Sequence, residues 1–227
     1  MKKLVVLTGA EISAESGIKT FRDADGLWEG HDVMEVASPQ GWRANTELVL
    51  EFYNQRRKQA LTAKPNTAHT ILADLEERFD VQIITQNVDN LHEKAGSTNV
   101  HHLHGQLFQS RSSADERLVY EMSGWKLSLG DLCERGSQLR PNIVWFGEAV
   151  PMMDSAIEIT SRADIFLVVG TSLQVYPVAG LMDYAPNTAK KLLIDPKSPI
   201  SKLTEDIHFI QEKATSGMQK VSEILLS

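Results

Sequence analysis

Short apolar runs recur along the chain, each bounded by residues that favour turns. They are rich in valine and isoleucine and occupy residues 4–7, 81–84, 143–146, 165–169 and 192–194. Runs of this length and composition are typical of strands buried on both faces, as in a parallel sheet.

Segments with helical periodicity alternate with these predicted strands. They cover residues 46–60, 67–79, 152–161 and 217–226, and Thr67 is a candidate cap for the second segment. Strands that alternate with helices predict a doubly wound α/β fold, a parallel sheet with helices on both faces.

Two stretches interrupt this alternation. Residues 27–60 hold helical pieces between the first two strand units, and residues 108–139 are polar and serine-rich. We interpret both as insertions that form a small lobe. Residues 1–227 then make one core, whose large lobe comprises residues 1–26, 61–107 and 140–227. A ligand crevice is expected between the lobes.

Composition narrows the class of protein. The 227 residues are 42% hydrophobic and 23% charged, which suits one globular core. No apolar run approaches the ~18 residues of a membrane span, and the run at residues 4–7 is too short for a signal peptide. The single cysteine, Cys133, excludes an intrachain disulfide and favours a reducing compartment, so we predict a cytoplasmic protein without membrane association.

The net charge of −7 disfavours nucleic acid as a partner, because phosphate binding is driven by basic surface. An acidic surface is compatible with cationic partners such as lysine-bearing peptides.

A glycine-punctuated segment follows the first predicted strand directly. It begins Gly9-Ala10-Glu11 and ends at Gly17, where α/β proteins often cradle a dinucleotide pyrophosphate. Phe21 and Arg22 come soon after it. The strict G-x-G-x-x-G fingerprint is absent, and a purely structural turn is an equally good interpretation of this segment alone.

A polar segment, Gln86-Asn87-Val88-Asp89, follows the second strand unit. Polar side chains at the carboxyl end of a strand lie where α/β folds bind ligands. The alternative is that Asn87 or Asp89 caps the helix that begins near Leu91.

Three histidines lie close together at His101, His102 and His104, followed by Gly105. Strand alternation places His102 and His104 on one face and His101 on the other. A histidine at a strand end can serve as a general base, although a structural role is the better default for any one of them. A closed metal site would need ligands from elsewhere.

Two further segments carry candidate chemistry. Residues 138–148 include the sequence Trp145-Phe146-Gly147-Glu148, and the strand at residues 165–169 ends in Gly170-Thr171-Ser172. The hydroxyls and amides of the second segment could hold ribose or phosphate, and each segment taken singly could be structural.

In this order and spacing, the five segments resemble the sirtuin family of NAD-dependent protein deacylases, and the similarity covers essentially the whole chain. The resemblance implies a Rossmann-type large lobe, NAD as cofactor and acyl-lysine proteins or peptides as partners. It implies an NAD site formed by Gly9, Ala10, Glu11, Phe21, Arg22, Gln86, Gly170, Thr171, Ser172 and Ala214.

The resemblance also implies a mechanism. Asn87 and Asp89 would hold nicotinamide, the acyl carbonyl oxygen would attack the ribose, and His104 would act as the general base. Val144, Phe146, Gly147 and Glu148 would flank the peptide as an added strand. The products would be nicotinamide, O-acyl-ADP-ribose and free lysine.

A narrower similarity concerns the acyl group. Tyr53 and Arg56 lie three residues apart on one helix face, and Ala37 lies upstream of them. The class III branch of the family, which accepts succinyl- and malonyl-lysine, has a Tyr-x-x-Arg pair at this point. Arginine can grip a carboxylate with two donors, so we predict desuccinylation and demalonylation with deacetylation retained. A solvated helix with one aromatic core residue is the alternative.

Two departures from the family pattern are evident. Most members carry two Cys-x-x-C pairs that bind zinc, whereas this chain has only Cys133, so we expect no structural zinc. Glu11 stands where the family has a glycine. A carboxylate ~4 Å from a phosphate would be repelled by ~4 kcal/mol, about a thousandfold in affinity, and a position that required positive φ would add strain.

Two other functions remain open from the sequence. The chain could be an NAD or ADP-ribose sensor whose turnover is impaired by Glu11, or a protein ADP-ribosyltransferase. The set Asn87, Asp89 and His104 favours catalysis over sensing, and the Tyr53–Arg56 pair favours acyl-lysine over ADP-ribose transfer.

Overall fold

The computed structural model describes residues 1–19, 27–28, 30–171, 173, 176–197 and 206–227. In chain order its elements are β1 (Lys3–Thr8), α1 (Glu11–Ala14), β2 (Leu27–Trp28), β3 (His31–Asp32), α2 (Val33–Val36), α3 (Pro39–Ala44), α4 (Thr46–Thr62), α5 (Thr67–Asp74), β4 (Asp80–Thr85), α6 (Leu91–Ala95), β5 (Val100–His102), β6 (Gly105–Ser112), β7 (Val119–Glu121), β8 (Leu139–Ile143), α7 (Met153–Thr160), β9 (Ile165–Val169), β10 (Lys190–Ile194), β11 (Ile207–Ile210) and α8 (Ala214–Leu226). Short 3₁₀ helices span Leu75–Glu77 and Val178–Tyr184.

Six parallel strands form the main sheet in the order β11-β10-β9-β1-β4-β5. The chain builds outward from β1 to β4 and β5, then returns to β9 on the opposite side of β1. The two halves therefore diverge between β1 and β9, and such a switch point leaves a crevice at the carboxyl ends of the strands. The predicted doubly wound fold is confirmed.

Both faces of this sheet are buried. Leu4 and Val6 of β1 pack in one apolar cluster with Leu72 of α5 and Met218 of α8. The alternate residues of β1 point the other way and pack with α7 and the 3₁₀ helix at Val178–Tyr184. Because helices pack on each face of the sheet, the strands are apolar at successive positions rather than at every second one.

A separate three-stranded antiparallel sheet has the order β7-β6-β8. The prediction that residues 143–146 form a strand of the parallel sheet is wrong, because the strand is Leu139–Ile143 and it pairs with β6. Ile143 and Trp145 are apolar because they pack against α4. Since β6 and β8 each cross a predicted lobe boundary, the exact division into lobes stays a prediction.

The helices differ from their predicted bounds at the ends. Thr67 is not the cap of α5, since the Asn66 side chain accepts from the Ala68 backbone N–H and His69 completes a capping box. The predicted helix at residues 67–79 ends at Asp74 and continues only as the 3₁₀ turn. α8 begins at Ala214, three residues before its predicted start.

Helix α4 is fastened to the polar insertion by two buried side chains. Asn54 Nδ2 donates to the Leu127 carbonyl at 3.0 Å, and the Leu127 N–H donates back to Asn54 Oδ1 at 2.9 Å. Arg57, fully buried, donates to the carbonyls of Trp125 and Leu107 and to Asn54 Oδ1. Hydrogen bonds of this kind order a segment that has little apolar core of its own.

Within the described ranges, none of the helices combines the length and apolar character that crossing a bilayer requires.

Candidate functional site

Three loops meet at the carboxyl edge of the main sheet, at the switch point. Thr8 at the end of β1 lies in register with Thr85 of β4 and with Val169 of β9. The Gly9 N–H donates to the Val169 carbonyl and the Gln86 N–H to the Thr8 carbonyl, both at 3.0 Å. The fold therefore brings together the segments that begin at Gly9, Gln86 and Gly170.

Two glycines let these loops approach one another closely. A Cβ at Gly170, whose φ is +65°, would lie 2.6 Å from the Ile12 backbone nitrogen, and a Cβ at Gly9 would lie 2.6 Å from Cβ of Thr171. The Gln86 side chain closes the group, because its Nε2 donates to Thr171 Oγ1 at 3.0 Å. Side chains at either glycine would separate the first loop from the fifth motif.

Glu11 is the first residue of α1, and Ala10 before it already has helical angles of φ −59° and ψ −29°. Its N–H donates to the Gly170 carbonyl at 3.1 Å. The condition for backbone strain at Glu11, a positive φ, is therefore not met, because Glu11 is helical. The electrostatic effect of its carboxylate on a bound phosphate stays a prediction.

Asn87 is buried, and hydrogen bonds hold both its side chain and its backbone. Its Nδ2 donates to the Gly9 carbonyl and to Ser13 Oγ, both at 3.1 Å, and its N–H donates to Thr85 Oγ1 at 3.0 Å. With both side-chain donors committed, the oxygen Oδ1 is the end that the residue can offer to a ligand amide.

Asp89 is also buried, and its Oδ1 accepts from the Leu91 N–H at 3.1 Å, so the predicted capping alternative is partly realised. Burial raises the pKa of Asp89, although the Leu91 N–H, the Ser13 hydroxyl and the charges of His102 and Arg56 oppose the change. A carboxyl group with such opposed influences, next to a cleft, is typical of a functional site.

His104 follows β5 and is partly buried. Its Nδ1 lies 3.1 Å from the Gln86 carbonyl oxygen. Because a carbonyl only accepts, Nδ1 carries the proton and the neutral ring presents Nε2 as a base. Burial lowers the pKa of His104, against the opposing effect of the Gln86 carbonyl, so the ring is neutral near pH 7.

The other histidines of this motif follow the predicted alternation. His102 Nδ1 contacts the Asn87 carbonyl at 2.9 Å, next to the Gln86 carbonyl that His104 contacts. His101 instead contacts the Gln82 side chain. His102 Nε2 also pairs with Glu93 at 2.7 Å. The sequence did not predict that Glu93 is a partner of His102. The one feature that could have indicated it is the position of Glu93 in the first turn of α6.

The segment proposed to bind peptide forms a turn beside this site. Phe146 and Gly147 are exposed, and Gly147 has φ +88°. Backbone N–H groups in the turn are committed within the chain: Val144 to the His104 carbonyl, Phe146 to the Ala37 carbonyl and Glu148 to the Trp145 carbonyl. A peptide strand would therefore pair with Gly147 and with carbonyl groups of the turn.

Glu148 fastens the turn rather than facing solvent. Its carboxylate accepts from Arg140 at 2.7 Å, from Arg111 at 3.2 Å and from the Trp145 N–H at 2.8 Å. Burial alone would raise the pKa of Glu148, but the hydrogen bonds from Arg140 and Trp145 and the charges of Arg140 and Arg111 together outweigh it, and the pKa is lowered. Arg140 also stacks on the Trp145 ring, 3.3 Å from its centroid.

The three residues predicted to contact the acyl group lie near this turn. Ala37, Tyr53 and Trp145 belong to one buried cluster, and Trp145 Nε1 donates to the Tyr53 hydroxyl at 3.0 Å. Arg56 is buried and acts electrostatically on both Tyr53 and Asp89. The alternative of a solvated helix with one aromatic core residue is wrong for Arg56, whose side chain is buried, whereas the burial of Tyr53 agrees with it.

Three of the predicted NAD contacts, Phe21, Arg22 and Ser172, lie outside the described residues and stay predictions. Ala214 is buried at the start of α8, in the apolar cluster that contains Ile12, and its contact with NAD also stays a prediction. The structure gathers no three His, Cys, Asp or Glu side chains as metal ligands within its described ranges, and the expected lack of structural zinc stays a prediction.

The fold and this loop cluster define a doubly wound α/β protein whose loops gather at the topological switch point, where proteins of this class bind ligands. The sequence profile of the Sir2 family matches residues 9–177. The chain belongs to the Sir2 family, as its resemblance to the sirtuins predicted.

Relatives and solved structures agree with this assignment. The chain is 55% identical to the NAD-dependent protein deacylase of Helicobacter pylori, with 100% of this chain and 98% of the relative covered. It is 49% identical to the enzyme of the same name from Bacteroides thetaiotaomicron, with 100% and 99% covered. The crystal structure of a Sir2 homolog–NAD complex matches with a TM-score of 0.88 at 39% identity, covering 99% of this chain and 90% of that one. A structure of Sir2Tm bound to a propionylated peptide matches with a TM-score of 0.79 at 31% identity, covering 98% and 92%.

Proposed function

We propose that this protein is an NAD-dependent protein-lysine deacylase that removes succinyl and malonyl groups and also acetyl groups. The observation that carries the proposal is the junction of the Gly9, Asn87 and Gly170 loops with the neutral imidazole of His104 beside it. The names of the relatives and the NAD and acyl-peptide complexes of the solved structures support it.

The residues present fit NAD. Gly9 and Gly170 bring two loops together at the switch point, and Asn87 offers an amide oxygen held by its own hydrogen bonds. NAD supplies a ribose carbon from which nicotinamide can leave when the acyl oxygen attacks it. In this proposal Asn87 and Asp89 would hold the nicotinamide amide and so orient the bond to the ribose that breaks.

His104 is proposed as the base that removes a proton from a ribose hydroxyl. The Gln86 carbonyl holds the proton on Nδ1, which leaves Nε2 able to accept another. The lowered pKa of His104 keeps the ring in this form at physiological pH.

Acyl selectivity is assigned to Tyr53 and Arg56. Burial raises the pKa of Tyr53, so its hydroxyl remains a donor at working pH. Arg56 lies one helical turn away and supplies a buried positive charge. A succinyl or malonyl carboxylate can accept from both groups, whereas an acetyl group has no acceptor at that depth.

We also propose a cytoplasmic location, supported by the single cysteine and its lack of disulfide partners in the sequence.

Matched succinyl-, malonyl- and acetyl-lysine peptides with NAD, followed by mass spectrometry, test the proposal. We expect turnover of all three, a loss of succinyl turnover in Arg56→Lys with acetyl turnover retained, and no effect of the exposed control Arg162→Lys. A wild-type protein that leaves succinyl- and malonyl-lysine intact would refute the acidic-acyl assignment, and one that also leaves acetyl-lysine intact would refute deacylation.

A further inference from the structure

The side chain of His102 bridges two acceptors. Its Nδ1 lies 2.9 Å from the Asn87 carbonyl oxygen and its Nε2 lies 2.7 Å from Glu93 Oε1. A backbone carbonyl only accepts, and a carboxylate only accepts. Both ring nitrogens therefore carry protons, and His102 is an imidazolium in this arrangement.

The bridge spans the polar loop that holds the candidate catalytic residues. Asn87 lies at the start of that loop, after β4, and Glu93 lies in α6, after the loop ends. His102 thus fastens the loop at both ends from the neighbouring strand. His104, two residues on, contacts the preceding carbonyl of Gln86. A shift of the loop would therefore move Asn87 and the ring of His104 together.

The charged and titratable groups around His102 come from three elements. Glu93 and His92 face it from α6, Asp89 from the loop and His101 from β5. Burial lowers the pKa values of His92 and His101, and the positive charge of His102 lowers them further. Burial alone would lower the pKa of His102, but the hydrogen bond and charge of Glu93, the Asn87 carbonyl and the charge of Asp89 together outweigh burial, and the pKa is raised.

The pKa values of His102 and His104, which are two residues apart in the sequence, are therefore shifted in opposite directions. The pKa of His104 is lowered, so it is neutral, while His102 is held charged. Pairs of titratable groups whose environments separate their pKa values are a common arrangement in active sites.

We propose that His102, charged through its pair with Glu93, is the positioning residue that fixes the Asn87–Asp89 loop and with it the orientation of the base His104. The inference rests on the proposed function, since positioning matters for catalysis only if Asn87, Asp89 and His104 act on NAD.

Loss of a proton from His102 removes one of its two donors, so either the Asn87 carbonyl or Glu93 loses its partner. Activity should then decline on the alkaline side as the pH passes the pKa of His102, while the acid side reports the protonation of His104. Glu93→Gln keeps an acceptor oxygen of the same shape but removes the charge that raises the pKa of His102. The alkaline decline should consequently move to lower pH.

The test measures kcat and KM against pH for the wild type, Glu93→Gln and the control Glu158→Gln, whose carboxylate is exposed on α7 and pairs with Arg162. We expect Glu93→Gln to move the alkaline limb of kcat down by about one pH unit, with the acid limb and the KM for acyl-peptide unchanged. Glu158→Gln should match the wild type. A uniform fall in kcat with no displacement of the limb would reduce the pair to a structural role and overturn the inference.

A second readout does not depend on turnover. The ¹⁵N shifts of the His102 ring in the folded protein report its protonation directly. We expect an imidazolium at pH 6.5 in the wild type and a larger neutral fraction of the ring in Glu93→Gln. A neutral His102 in the wild type would overturn the inference even if deacylation is confirmed, whereas an imidazolium in a protein without deacylase activity would refute only the proposed function.

Discussion

The indole nitrogen of Trp145 donates to the hydroxyl oxygen of Tyr53 across 3.0 Å, inside a cluster where both side chains are almost fully buried. The bond occupies one acceptor site of the phenol and leaves its proton to be donated elsewhere. Trp145 belongs to the turn that is proposed to bind peptide, so this contact would connect the proposed peptide site to the proposed acyl site.

Replacing Trp145 by phenylalanine should reduce desuccinylation selectively. Trp145→Phe keeps an aromatic ring but loses the donor that orients the Tyr53 hydroxyl, and a hydrogen bond of this kind is worth up to about 1.5 kcal/mol, about tenfold in kcat/KM. Deacetylation should change much less, because an acetyl group has no carboxylate. Trp42→Phe is the matched control, since Trp42 packs against Trp145 with ring centroids 5.7 Å apart. Equal losses for both acyl groups would contradict the assignment.

Arg57 should be a major source of stability in the polar insertion. Its guanidinium serves two carbonyls and Asn54, and burial lowers the pKa of Arg57 to about 10, within the range where the side chain stays charged at pH 7. Arg57→Met would leave buried acceptors without donors and should lower the free energy of unfolding by roughly 2–4 kcal/mol in urea titrations. The exposed control Arg162→Met should change it by less than about 1 kcal/mol. If Arg57→Met unfolded at the same urea concentration as the wild type, the hydrogen bonds of Arg57 would not be needed for stability.

The protein should lose stability on mild acidification through His69. Burial lowers the pKa of His69 from 6.5 to about 4, so between these values the unfolded chain binds a proton that the folded chain does not. Stability is therefore complete above pH 6.5 and falls as the pH drops toward 4, by on the order of 3 kcal/mol for a shift of this size.

His69→Gln provides the check, because glutamine suits the same position of the capping box but does not titrate. Urea unfolding at pH 7 and pH 5 should show a smaller loss for the variant than for the wild type. The same loss in both proteins would place the acid sensitivity elsewhere.

Glu11 should weaken NAD binding by charge alone. Its helical backbone removes strain as a cause, so Glu11→Gln should tighten NAD binding, by about a thousandfold for a carboxylate ~4 Å from a phosphate at low salt and by less at high salt. Glu11→Gly would remove the charge too but costs about 1 kcal/mol of helix propensity. Calorimetry that gives one Kd for the wild type and Glu11→Gln would show that the carboxylate points away from the phosphates.

The apolar runs predicted four of the six strands of the main sheet, β1, β4, β9 and β10, because these strands carry their own signal, whereas β5 and β11 were not among the predicted runs. β1 and β9 are apolar at successive positions, which is a local consequence of burial on both faces. The run at residues 143–146 had the same local pattern but lies at the end of β8, in another sheet, because its burial comes from α4 rather than from helices on two faces.

The site was predictable in its residue types but not in its contacts. Asn87, Asp89 and His104 follow strand ends, and their positions come from topology. The Glu93 partner of His102 and the Trp145 partner of Tyr53 depend on which atoms face each other after folding, and Trp145 is 92 residues away from Tyr53. Phe21, Arg22 and Ser172 stay predictions.

The most direct test of the account measures nicotinamide release with NAD alone, with NAD and an unmodified lysine peptide, and with NAD and the matching succinyl-lysine peptide. The account predicts release only with the succinyl peptide, together with an equal amount of O-succinyl-ADP-ribose and free lysine, and none of these products from His104→Ala beyond a trace. Release that needs no acyl group, or ADP-ribose found on protein, would contradict it and favour an ADP-ribosyltransferase. NAD binding without release under all three conditions would contradict it in favour of a sensor.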